Sequence, residues 1–199
     1  MSLVVDHVIV CLTDLDDAVA AFESEHGVTS IQGGRHEGHG TANRLVPLGD
    51  DYIELVAVVD REEAADSRFG VWVAQRSRHD GADGLVLRTD DLETECGRLG
   101  IEPVSMSRLT HTGDVLHWRV AGLEQTIRFG LPFFIQWDVE PGRLPGRIPV
   151  EHPAGDLVMD DVEISGDTAR LRSWTGNVPG LRIVEGEPGA RFLLRSREL

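Results

Sequence analysis

The chain has 199 residues, 41% of them hydrophobic, which is enough to bury a sizeable core as one domain or as two small fused modules. Its 19 Lys and Arg stand against 34 Asp and Glu, and a formal net charge of −15 repels phosphate backbones and anionic lipid, which argues against nucleic-acid and membrane partners. No run nears the roughly 20 apolar residues that span a bilayer, no secretory leader is apparent, and Cys11 and Cys96 each fall inside an expected regular element, so the expectation is a cytoplasmic protein without disulfides.

In chain order, HVIVCLTDLDDAVAAFESEHGV (7–28) begins as a strand and becomes a helix, with Thr13 or Asp14 to cap it and Leu15, Val19, Phe22 and His26 at helical spacing. GGRHEGHGTAN (33–43) reads as a glycine-rich connection that carries His36 and His39 into Asn43, either a solvent-exposed loop or a lid over a site. Strand signals follow in TANRLVPLG (41–49) and DYIELVAVV (51–59). DSRFGVWVAQRS (66–77) reads as a short helical link and HDGADG (79–84) as a loop.

The plan then begins again. GLVLRTDDLETECGRLGI (84–101) is a strand followed by a helix, with Asp90 and Glu93 as a capping box before Leu92, Cys96 and Leu99. Superposing Asp14-Leu15-Asp16 on Asp91-Leu92-Glu93 carries Val19 onto Cys96 and Phe22 onto Leu99 at a constant offset of 77. DVLHWRVAGL (114–123) and PFFIQWDV (132–139) supply the later strands, so each unit reads β-α-β-β-β. EPGRLPGRIPVEHPAG (140–155) is a linker, and LVMDDVEI, DTARLRSWTG, LRIVE and RFLLRS beyond it form a shorter third echo. The expected division is 1–65 for the first unit, 66–83 for the link, 84–140 for the second unit, 141–155 for the linker, and 156–199 for a half-unit packed on the same domain.

Strand alternation sorts these residues by face. Val8, Val10 and Leu12 point one way, and His7, Ile9 and Cys11 the other; Ile53, Leu55 and Ala57 oppose Tyr52, Glu54 and Val56. A lone histidine beside an apolar run is by default structural, and a lone glutamate in a strand by default faces solvent. A carboxylate inside YIELVAV nevertheless calls for a partner, a metal or water, because an unpaired buried charge costs several kcal/mol. Aligning Phe134-Ile135-Gln136-Trp137 with Tyr52-Ile53-Glu54-Leu55 puts Gln136 at the Glu54 position and suggests one shared polar cavity. Arg88 aligns with Cys11 on the cavity face, where it either grips a ligand carboxylate or enolate or pairs with a nearby acid. His117 and Trp118 point to opposite faces of one strand, and one of them faces the cavity.

The doubled plan, with a His opening the first strand and a Glu in the fourth, resembles the vicinal oxygen chelate superfamily. GTANRLVPLGDDYIELVAVVD (40–60) and LPFFIQWDV (131–139) are similar to its glyoxalase-like branch over about residues 3–140, and the tail resembles that branch's additional half-module. The resemblance implies an α+β fold of paired β-α-β-β-β modules forming a curled mixed sheet with outer helices, plus a C-terminal half-module. It implies a divalent ion, with zinc, nickel, manganese, iron and cobalt not distinguished, held by His7, Glu54 and Gln136; the fourth ligand position falls on Gly84, which has no donor. The implied chemistry is that of a lyase or isomerase on a small carbonyl or carboxylate metabolite, with Glu54 moving the proton while the metal or Arg88 steadies an enolate. Arg88, Asn43, Tyr52, His117 and Phe134 are the expected substrate contacts. The competing class is a binding protein that sequesters a small molecule in the same cavity; extradiol dioxygenase chemistry ranks lower because it needs a second histidine ligand. No Walker loop, Rossmann fingerprint, CxxC pair or nucleophile elbow is present, so no nucleotide cofactor is expected. The expected partner is a small molecule, with a homodimer left open.

Overall fold

A computed structural model describes residues 3–77, 82–109 and 115–197. The first unit runs β1 (Val4–Cys11), α1 (Asp17–His26), β2 (Ile31–His36), β3 (Thr41–Pro47) and β4 (Tyr52–Val58). Two link helices follow, α2 (Arg61–Ala65) and α3 (Arg68–Arg76). The second unit is β5 (Gly84–Arg88), α4 (Leu92–Leu99), β6 (Val104–Leu109), β7 (Val115–Ala121), α5 (Leu123–Phe129) and β8 (Phe133–Trp137). The tail folds as β9 (Leu157–Gly166), α6 (Thr168–Thr175), β10 (Leu181–Glu185) and β11 (Gly189–Ser196).

The strands of the two units form one eight-stranded mixed sheet in the order β2-β3-β4-β1-β5-β8-β7-β6, and the tail forms its own sheet in the order β10-β9-β11. The paired parallel ladders β1–β4 and β5–β8 sit at the centre, joined by the antiparallel β1–β5 seam. The sheet curls until its edge strands β2 and β6 come within 8 Å of each other. The repeat shows at the caps as well: α1 and α4 both end on a left-handed glycine, Gly27 at φ 62° and Gly100 at φ 65°, a conformation that a side chain would strain. The cap of α4 differs from the expected box, because the side chain of Asp91, not Asp90, accepts from Thr94 N at 3.0 Å.

Alternation gives the curled sheet two apolar faces. The outer one joins Val8, Val10, Ile53, Leu55, Leu85 and Leu87 to the helices and to the tail. The inner one joins Ile9, Cys11, Val56 and Val86 to Trp72 and Val73 of α3, so the link helix lies inside the curl. GGRHEGHGTAN is not one connection: most of it is the β2–β3 hairpin, which places His36 in a strand and His39 in the turn. Helix α5 also departs from expectation, since the corresponding β3–β4 connection of the first unit is a tight turn.

Candidate active site

The imidazoles, the carboxylates and the amide of the site come from the first unit, and the second adds the Arg88 guanidinium and the Trp137 indole N–H. His7, on β1, is 4% exposed and lies between two carboxylates: Nδ1 is 2.7 Å from Asp6 Oδ1 and Nε2 is 3.4 Å from Glu54 Oε2. Its ring stacks on Tyr52, its ladder partner on β4, at 4.4 Å between centroids. Neighbouring residues of a strand normally point to opposite faces, yet Asp6 and His7 bond each other. The reason is a bulge: the β1–β5 register slips between Val5 and His7, and Asp6 is the extra residue. Asp6, 1% exposed, also accepts from Arg88 Nη1 and from Trp137 Nε1, each at 3.1 Å.

Glu54, 7% exposed, is shared by a second cluster from the hairpin. Asn43 Nδ2 donates to its Oε1 at 2.5 Å, and His36 Nε2 lies 3.5 Å from the same oxygen. Asn43 is oriented from behind by Gly34 N, which donates to its Oδ1 at 2.8 Å. Gly33 is what allows this, because a Cβ there would stand 2.0 Å from Asn43 Oδ1. The far nitrogens of the hairpin histidines are engaged as well, His36 Nδ1 with Thr41 Oγ1 at 2.9 Å and His39 Nδ1 with Ser67 Oγ at 2.7 Å.

Charge follows from this packing. Burial opposes an imidazolium at His7, but the hydrogen bonds to Asp6 and Glu54 and the charges of both acids outweigh it and raise its pKa to about 9. Burial likewise opposes the Glu54 carboxylate, yet the His7 hydrogen bond, the His36 charge and the Asn43 amide hold its pKa at about 2. Around neutral pH the centre is therefore an imidazolium facing the Glu54 carboxylate, with Asp6 against its Nδ1 and Arg88 behind Asp6.

This cluster forms one end of a cavity of about 90 Å³ whose other walls are aromatic and aliphatic: Phe69, Trp118, Phe133, Ile135 and Trp137. Of the expected site residues, His7, Glu54, Asn43 and Tyr52 meet there. The other four do not. Gln136 faces outward, where its Oε1 accepts from Leu92 N at 3.1 Å and Arg119 Nη2 at 2.7 Å and its Nε2 donates to Asp90 O at 2.9 Å, fastening the start of α4. Phe134 is fully buried in the outer core against Trp174, at 5.7 Å between centroids. His117 is exposed, and Trp118 takes the cavity face of β7. Arg88 is bound to Asp6 and to Asp50 O and supports the site without lining it.

One register explains the Gln136 and Phe134 errors. Ile9 pairs with Glu54 and its counterpart Val86 pairs with Phe133, so the ladders equate Glu54 with Phe133. Gln136 lies three residues further on, an odd shift that reverses the face. The site residues that sequence reading passed over are Asp6, Phe69, Phe133, Ile135 and Trp137, and His36 was seen only as part of a loop. Asp6 had one signal, its place next to His7.

The donor set does not fit the implied divalent ion. Among the described residues no three His, Cys, Asp or Glu side chains are grouped to hold a metal. The second unit offers Gly84 and Phe133 where the first offers His7 and Glu54, and neither carries a donor.

The family model for the Glyoxalase-like domain matches residues 5–177. The chain belongs to that family. A hypothetical protein from Staphylococcus aureus superposes on it with a TM-score of 0.69 at 20% identity, covering 94% of this chain and 88% of that one. Methylmalonyl-CoA epimerase from Mycobacterium tuberculosis matches with a TM-score of 0.47 at 22% identity, over 69% of this chain and 89% of that one. A variant of the Streptomyces coelicolor epimerase in complex with 2-nitronate-propionyl-CoA matches with a TM-score of 0.48 at 17% identity, over 69% of this chain and 100% of that one. No curated protein sequence matches the chain. No helix among the described residues is long and apolar enough to cross a membrane.

Proposed function

We propose that this glyoxalase-like chain is an isomerase or lyase that moves a proton on a small carbonyl metabolite. One observation carries the reading: Glu54 is buried at the single polar end of an otherwise apolar cavity, with imidazole Nε2 atoms 3.4 and 3.5 Å from its two oxygens. Packing alone does not call for such a cluster, since apolar residues of similar volume in place of a buried ion pair are often as stable or more so. The cavity volume of about 90 Å³ favours a ligand of a few heavy atoms over a bulky one. Arg88 is committed to Asp6, which favours a carbonyl over a carboxylate as the group recognised.

In this reading the ligand's carbonyl oxygen takes over the His7 Nε2–H bond from Glu54. Glu54, relieved of that bond, becomes the stronger base and accepts the proton of the neighbouring C–H. The C–H electron pair moves onto the carbonyl oxygen, where the imidazolium opposes the developing charge. Return of the proton to another position gives an isomer, and departure of a leaving group from the next carbon gives the product of a lyase.

The test is proton exchange. Small aldehydes, ketones and hydroxyketones incubated with the protein in D₂O should gain deuterium next to the carbonyl, followed by NMR, and Glu54→Gln should slow this by about 10²-fold or more. The aromatic wall of Trp118, Phe133 and Trp137 favours a second reading, a protein that only binds its ligand. Ligands that shift the tryptophan fluorescence of parent and Glu54→Gln alike, with no deuterium gained, would establish that second reading instead.

A further inference from the structure

We propose that α3 has taken over the half of the site that the second unit would supply, so that the cavity works without a divalent ion and Trp72 is the residue responsible. The proposal goes beyond the proton-transfer reading and does not depend on it. Symmetry of the two units puts four positions on the concave face: His7 and Glu54 from the first, Gly84 and Phe133 from the second. The indole of Trp72, 4% exposed, lies directly over the third of these. A Cβ built on Gly84 would stand 3.3 Å from Trp72 Cη2 and 3.4 Å from Ile9 Cδ1, so a larger ligating side chain finds its space already filled. A Cβ alone would press the indole by a few tenths of an ångström, and an imidazole beyond it would have to displace the ring.

The rest of α3 continues the same surface. Phe69 stacks on Trp72 at 5.7 Å between centroids and turns its ring towards His36 and His39, each at 5.8 Å. Phe133, at the fourth position, adds apolar wall beside His7, at 6.4 Å between centroids. The donors that remain are one-sided. His7 and His36 address opposite oxygens of Glu54 rather than a common point, and the Nδ1 atoms behind them are held by Asp6 and Thr41.

Metal content and folding test this on the full chain, without reference to turnover. Protein purified without chelator and dialysed against zinc, nickel, manganese, iron(II) or cobalt should carry well under one ion per chain by elemental analysis. Gly84→His alone should lower the melting temperature and gain no ion, because Trp72 blocks it. Gly84→His combined with Trp72→Ala should relieve the clash and bind zinc at least about tenfold more tightly than the parent. A parent protein holding about one ion per chain, lost in His7→Ala or His36→Ala, would overturn the proposal, and so would a Gly84→His single variant that binds an ion with no loss of stability. A folded double variant with no gain in affinity would remove Trp72 as the cause.

Discussion

At the scale of single residues, Asp6 and Glu54 together favour the charged form of His7. Asp6→Asn retains the shape but removes the charge behind Nδ1, so the His7 pKa should fall, followed by the NMR shift of its ring protons against pH. The pH dependence of stability has a definite sign. The His7 pKa rises on folding from 6.5 to about 9, so its contribution is complete below pH 6.5 and is lost as pH climbs through 9. The Glu54 pKa falls on folding from 4.5 to about 2, so its contribution is complete above pH 4.5 and is lost as pH drops towards 2. Together these two groups contribute fully between roughly pH 4.5 and 6.5; Asp51, whose pKa burial raises from 3.8 to about 7, adds a decline of its own as pH climbs towards 7, so His7→Ala should weaken the loss of denaturation midpoint between pH 6.5 and 9 without abolishing it. Gly33→Ala, just behind the cavity wall, should act on it through Asn43, whose Oδ1 the new methyl would displace; ligand affinity and the Glu54 environment should change together. His7 and Glu54 were legible in the sequence because each interrupts an otherwise apolar run. Asp6 was not, since a bulge that turns two adjacent side chains to one side has no signature in composition or period.

At the scale of elements, the repeat was legible as a plan and misleading as a register. The helices align by capping and spacing, and α1 and α4 are where that alignment puts them. The fourth strands do not align the same way, because FFIQW is apolar on both faces apart from one amide, and a pattern without alternation cannot say which side is in. Two substitutions separate the faces. Phe134→Ala, in the outer core, should cost about 3–5 kcal/mol in chemical denaturation and leave ligand binding nearly as it was. Phe133→Ala, on the cavity wall, should cost less and weaken or broaden ligand binding. The reverse result would return Gln136 to the cavity side. The role of α3 was hidden for another reason: DSRFGVWVAQRS shows a helix, but no local signal says that the helix lies inside the curl rather than on its surface.

At the scale of the whole molecule, the tail is a separate sheet but not a separate core. Leu157, Val162, Ile164, Leu171 and Trp174 belong to the same buried cluster as Val8, Leu55 and Leu87. Trp174 is the main tie: its ring packs on Phe134 and its Nε1 donates to Pro132 O at 2.6 Å, so the tail closes over the strand that forms one wall of the cavity. Arg98 of α4 reaches back to the carbonyls of Ser173 and Trp174 at 2.7 and 2.6 Å. The linker is anchored too, with His152 Nδ1 accepting from Thr29 N at 3.0 Å and Nε2 against Pro47 O at 2.8 Å. Not every apolar residue of the tail joins this packing, since Leu193 is 51% exposed. A chain ended near residue 155 leaves Phe134 and its neighbours facing water, and apolar surface uncovered in this way is worth about 25 cal/mol per Å². It should melt well below the full chain, and the full chain should unfold in one step, with tryptophan fluorescence and far-ultraviolet circular dichroism tracing the same curve. An unchanged melting temperature after truncation, or an early separate transition in the full chain, would mean that the cavity wall stands without the tail.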